Sequence, residues 1–138
     1  MKTLCITLIA LFIALSFTAC KKEADVDPDL ANRVAGRYSL SKIELNGKTT
    51  AIKDTYFTGV MEVKRESATS VTLILDVKGI NNSPFLTGNI DNVTVTDVGN
   101  GEVELTKDGN NLGRGGKNSL ALRGTDTAGA AFVLTGTK

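Results

Sequence analysis

The sequence contains no histidine and no tryptophan, and only two cysteines in 138 residues. Without histidine it lacks the usual general base, the Ser-His-Asp and Cys-His nucleophile arrangements, and the commonest zinc ligand. After residue 19 the only aromatics are Tyr38, Tyr56, Phe57, Phe85 and Phe132, too few for the ring platforms of a carbohydrate-binding surface. An excess of one charge is lacking too, with 16 Lys+Arg against 15 Asp+Glu. That balance argues against a nucleic-acid partner, which wants a basic face. Beyond Leu4 to Leu15 there is no second long apolar run, so no later segment reads as a membrane span.

What is present begins at the N-terminus. Lys2, the apolar stretch Leu4 to Leu15 and the small residues near Thr18-Ala19 form the pattern of an export signal over residues 1–19. The apolar stretch is shorter than the roughly 20 residues that cross a bilayer, so removal is the better reading. Cys5 leaves with that segment, and Cys20 remains alone. Exported proteins normally use cysteines in pairs, so a single one has no disulfide to make. The junction Phe17-Thr18-Ala19-Cys20 resembles a bacterial lipobox, with Phe17 where an aliphatic residue is usual. The resemblance implies cleavage before Cys20, lipid attachment to its thiol and acylation of the new amino terminus. Two or three acyl chains, at about 0.8 kcal/mol per buried CH₂, hold a protein on a membrane. The alternative is an ordinary signal peptide with an incidental cysteine.

Removing residues 1–19 from 138 leaves 119, enough for one domain with a sizeable core. Residues 20–29 form a lipidated cysteine and a charged tether, KKEADVDPD, with almost nothing to bury. Lys21 is not the aspartate that marks inner-membrane retention in enteric bacteria. By that resemblance the protein is an outer membrane lipoprotein, on the periplasmic face or the cell surface. Lys22-Glu23-Ala24-Asp25 also resembles the charged export signal of Bacteroidetes surface lipoproteins.

Residues 30–138 read as a single all-β domain. Asp29 can cap a helix of one or two turns that Gly36 stops. From there the period is two. Val71, Leu73, Leu75 and Val77 share one face of Ser70 to Lys78, and Phe57, Met61 and Val63 share one face of Phe57 to Lys64. Val93-Val95, Val103-Leu105, Leu120-Leu122 and Phe132-Leu134 are inward pairs of shorter strands. Between Arg37 and Asn46 the phase slips: Tyr38 and Leu40 share one face, Ile43 and Leu45 the other, which predicts a β-bulge. Turn signals such as Asn46-Gly47, Gly99-Asn100-Gly101, Asp108-Gly109 and Gly124 to Gly129 separate the runs. About eight strands with short connections form an antiparallel meander, which closes as an up-and-down barrel or folds over as a β-sandwich. Short hairpins favour the barrel.

Gly36-Arg37-Tyr38, opening the first long strand after a short helix, resembles the Gly-X-Trp motif of lipocalins and related calycins, with tyrosine in place of tryptophan. Over residues 30–138 the pattern is similar to small lipocalin-like lipoproteins of Bacteroidetes. The resemblance implies a ligand-binding barrel and a late-strand arginine packed on the Tyr38 ring, which maps to Arg123. The chain is shorter than a typical lipocalin, and a filled interior is favoured over a hollow one.

Three apparent motifs fail. Asp25-Val26-Asp27-Pro28-Asp29 alternates acids like a calcium loop, but Leu30 and Gly36 stand where glycine and glutamate belong. Asp108 to Lys117, DGNNLGRGGK, lacks the first glycine and the Ser/Thr of a phosphate loop. It reads as a mobile hairpin loop, with Arg114 and Lys117 giving weak anion attraction. Asp126-Thr127-Ala128 resembles a Bacteroidetes O-glycosylation site. Glu62, Glu66, Asp76, Asp97, Glu102 and Glu104 read as a solvated strand face.

The expected protein is therefore a non-enzymatic, lipid-anchored envelope protein without metal or cofactor. Its candidate ligand-lining residues are Tyr38, Phe57, Met61, Leu73, Leu75 and Phe132. Its expected partners are the membrane, through the Cys20 anchor, and a small hydrophobic ligand in the barrel. The alternative is an accessory lipoprotein with a filled barrel, acting on an envelope protein through its loops.

Overall fold

A computed structural model describes residues 29–138. The signal segment 1–19, the lipidation site Cys20 and the tether as far as Pro28 lie outside the described residues. Asp29, the last tether residue, is already part of the fold. Its carboxylate accepts hydrogen bonds from the Asn32 backbone N–H at 3.2 Å and the Asn32 side chain at 3.0 Å, capping helix α1 (Leu30–Val34).

Nine strands follow: β1 (Gly36–Leu45), β2 (Lys48–Ala51), β3 (Thr58–Ser67), β4 (Ser70–Lys78), β5 (Pro84–Gly99), β6 (Glu102–Lys107), β7 (Asn110–Gly115), β8 (Ser119–Thr125) and β9 (Ala131–Thr137). From β3 to β9 each strand pairs antiparallel with the next, and β1 pairs with both β3 and β9. Eight strands thus close a barrel, which settles barrel against sandwich. β2 is an extra strand beside the outer half of β1, where Lys42–Leu45 have left β3. Asn46-Gly47 and Asp108-Gly109 both take positive φ, at 49° and 79° and at 50° and 79°. Paired positive φ makes the tight hairpins that match strand twist.

The predicted bulge in β1 is present. Pairing with β9 slips between Leu40 and Lys42, and the spare Ser41 donates its hydroxyl to the Thr135 carbonyl at 3.0 Å. The slip returns Ile43 to the interior, so Tyr38, Leu40 and Ile43 are all buried. The four inward pairs of the shorter strands are buried as well. The Asp108 to Lys117 reading needs correction: Asp108-Gly109 is a turn and Gly116-Lys117 open the next one, but Asn110–Gly115 between them is β7, a wall strand. Its inward positions escaped notice because they are glycines. A β-carbon on Gly115 would lie 2.7 Å from Val34 Cγ2 and 2.9 Å from Leu120 Cδ1, so neighbours already fill that space.

The two barrel ends differ. At one, α1 lies across the opening with Ala31 and Val34 fully buried. Arg33 bonds Asp97 at 3.0 Å and Arg65 bonds Asp29 at 2.7 Å, tying the helix to β5 and β3. At the other end lie the β1–β2, β4–β5, β6–β7 and β8–β9 turns, with no α-helix there among the described residues.

Candidate functional site

The closed end is filled. Tyr38 sits opposite Met61 in the ladder, and both are fully buried with Val71, Val93, Val103, Leu105, Leu120 and Leu134. The Tyr38 hydroxyl shares its one proton between the carbonyls of Val34 at 2.6 Å and Gly116 at 2.9 Å. Burial pushes the Tyr38 hydroxyl up to about 12. The cation over its ring is Lys138, with Nζ 4.8 Å from the centroid. Arg123 does not take that place. It lies on β8 beside Val133 of β9, four positions beyond Ser119, which is level with Thr137 and hence with Ser39. Tyr38 is therefore a structural plug.

The open end is hollow. Leu73 and Leu75 of β4, Leu86 and Ile90 of β5, Leu122 of β8 and Phe132 of β9 surround an apolar cavity of about 200 Å³. Leu112, Arg123, Gly124 and Thr125 complete its rim. Two glycines lie on the strands beside it, Gly88 on β5 and Gly124 on β8. Gly88 lies opposite Leu75, and a β-carbon there would meet nothing within 4 Å. At Gly124 the Phe132 ring occupies the space of the missing side chain, 2.7 Å from where a β-carbon would be. The expectation of a filled interior thus holds for the closed half only.

Three rings run across this end. Phe57 meets Phe85 edge-to-face at 5.0 Å between centroids, and Phe85 meets Phe132 at 5.6 Å. On the far side of Phe57, a smaller hollow of about 160 Å³ is bounded by Ile43, Leu45, Lys48, Thr50 and Thr55. Of the six residues expected to line a ligand, Leu73, Leu75 and Phe132 meet at the cavity. Phe57 stands one ring away, and Tyr38 and Met61 belong to the filled end.

Sequence reasoning missed Leu86, Ile90 and Leu112. The first two carry the same signal as β1. Leu86 and Ile90 are in one phase and Val93 and Val95 in the other, and the ladder slips between them beside Asn92, whose φ is +55°.

Among the described residues the acidic side chains form no buried cluster. Glu66, Asp76, Asp97 and Glu102 are exposed, and Glu62 and Glu104 half-buried. Hydrogen bonds from Thr72 and then Ser70 lower the Glu66 carboxyl, and the Gly99 N–H and then Arg33 lower that of Asp97. Both groups are occupied with neighbours in the wall.

No family model and no curated protein matches the sequence. Among solved structures, the chain is similar to a putative outer membrane protein from Bacteroides fragilis, with a TM-score of 0.52 and 17% identity over 80% of this chain and 53% of that one. The chain therefore spans about half the length of that protein. It is also similar to two engineered proteins, a redesigned β-barrel, mFAP1, bound to DFHBI (TM-score 0.49, 14% identity, 80% and 99% covered) and a de novo fluorescence-activating β-barrel (0.48, 13%, 80% and 97%). At these identities the likeness to the Bacteroides protein is one of fold.

Proposed function

We propose that this chain is a lipid-anchored envelope protein whose lipocalin-like barrel binds a small apolar molecule in its open-end cavity, without catalysis. The observation that carries the reading is the cavity, walled by Leu73, Leu75, Leu86, Ile90, Leu122 and Phe132. Its size limits the ligand. An engineered apolar cavity of about 150 Å³ takes benzene, and drug-sized ligands need roughly 300 Å³ or more. A volume of about 200 Å³ fits a short alkyl chain or one ring system, not a sterol or a diacyl lipid.

The envelope address rests on the signal pattern of residues 1–19 and on Phe17-Thr18-Ala19-Cys20. It agrees with the name borne by the Bacteroides neighbour. Native mass spectrometry of the full chain after mild extraction tests the binding. The expected spectrum shows one small apolar adduct, depleted in Leu122→Trp, which places an indole in the cavity. Ligand-free protein that also takes up no added naphthylamine probe would favour an accessory role through protein contacts instead. The anchor is tested separately by Cys20→Ala, which should move the protein from the membrane fraction to the soluble one.

A further inference from the structure

The wall beside the cavity is incomplete. β7 and β8 pair only at Gly113–Leu122, Arg114–Ala121 and Gly115–Leu120. Both strands continue toward the open end, β7 held by β6 back to Asn110 opposite Lys107, and β8 held by β9 up to Thr125 opposite Ala131. Asn110–Leu112 and Arg123–Thr125 are thus adjacent wall segments with no ladder between them. The cause is local. The β6–β7 register slips between Leu105 and Thr106, which leaves Leu112 as an extra residue before Gly113. A bulge of this kind interrupts pairing and bends its strand. Gly113 has φ +145°, and a β-carbon there would collide with the Ala121 carbonyl, so the bulge depends on glycine.

A surface groove lies along the gap, lined by Asn110, Asn111, Leu112, Arg123, Gly124 and Thr125 among others. Leu112, Arg123, Gly124, Thr125 and Phe132 border both this groove and the cavity, so the two spaces meet across the wall. The Phe57–Phe85–Phe132 row, meanwhile, spans the axial opening. Arg123 makes no ion pair among the described residues, whereas Arg33, Arg65 and Arg114 each hold a carboxylate. An unpaired guanidinium beside two amides, at the rim of an apolar hollow, is a place for a negative head group.

We propose that the β7–β8 gap is the way into the cavity and that it selects a single-chain amphipathic anion. The tail lies among Leu73, Leu75, Leu122 and Phe132, and the carboxylate rests at Arg123 near Asn110 and Asn111. This rests on the reading of the cavity as a binding site. Scaling from benzene in about 150 Å³, the cavity accepts roughly eight carbons.

The test compares octanoate with octanol on the chain from residue 20 carrying Cys20→Ser. That chain keeps every described element, all of which lie in residues 29–138. Amide shifts followed by NMR during titration should appear at 110–112 and 123–125. Octanoate should bind about fivefold more tightly than octanol, the scale of an exposed ion pair. In Arg123→Gln the octanoate-to-octanol ratio should fall to about one. Equal binding of the two by the unmutated chain, or shifts confined to the axial rim at 55–57 and 80–82, would overturn the lateral anionic site while leaving an apolar cavity ligand standing. Binding of neither would overturn the cavity reading itself.

Discussion

The ammonium of Lys138 stands 4.8 Å from the centre of the Tyr38 ring and donates to the Ala35 carbonyl at 2.7 Å. The hydroxyl of the same tyrosine reaches Val34 and Gly116. One side chain therefore joins the end of α1, the start of β1, the β7–β8 turn and the residue after β9.

Tyr38→Phe removes the hydroxyl and leaves the carbonyls of Val34 and Gly116 without their donor. The ring still fills its place, so the loss is that of the hydrogen bonding, about 1–3 kcal/mol. Urea unfolding should show a lower midpoint with an unchanged slope. An unchanged midpoint would mean that the helix sits on the barrel end without help from the phenol.

Tyr38 also sets an alkaline limit. An unfolded tyrosine titrates near 10, whereas burial pushes this one up to about 12. Below pH 10 both states keep the proton and the contribution is constant. Between 10 and 12 the unfolded chain releases it first, so stability falls as pH rises, by about 3 kcal/mol at most. Tyr38→Phe should lack this part of the decline. Parallel stability curves for the two chains from pH 9 to 12 would refute the assignment.

Lys138→Met keeps much of the stem and removes the charge. With both the ring contact and the Ala35 hydrogen bond gone, a loss of about 1–2 kcal/mol is expected in thermal unfolding. Arg123→Met should stay within about 0.5 kcal/mol of the parent chain, because Arg123 touches neither Tyr38 nor a carboxylate. The reverse order would restore the arginine expected from the lipocalin resemblance.

Gly113 and Gly109 separate strain from collision. Gly109 has φ +79° with open space where a β-carbon would go, so Gly109→Ala should cost about 1–2 kcal/mol. Gly113→Ala adds a clash with the Ala121 backbone and should cost more than about 4 kcal/mol, in the range reserved for severe core defects. Similar melting temperatures for the two variants would show that the β7 bulge yields to a methyl group.

Which parts of the fold were legible follows from what each strand carries inward. β4 alternates Val71, Leu73, Leu75 and Val77 without interruption, and all four are buried. The slip in β1 could be read because large residues flank it. In β5 the same slip is hidden, since Gly88, Asn89, Asp91 and Asn92 look like a turn. β7 brings Gly113 and Gly115 to the interior, and a strand whose inward residues have no side chains leaves no hydrophobic period. The cavity shares that difficulty. Leu73, Leu75 and Phe132 could be named as interior, but the seat of the Phe132 ring against Gly124 and the register near Leu112 leave no hydrophobic period to read. Tyr38 and Met61 obey the same period as the cavity leucines. Only the helix packed over them marks their end as closed.

The pairing of β1 with β9 has a consequence in time as well as in space. Lys138 and Ala35 meet across a sequence separation of 103 residues, so the ring of strands cannot be completed while β9 is still missing. Contacts this distant make folding slow, because the cost of bringing the ends together precedes the gain. A ribbon of hairpins can form early, yet it stays unsealed, with two bare strand edges, until the final strand arrives. On the proposed export route the chain would cross a membrane unfolded, and late sealing would then keep the thread from jamming before its passage ends.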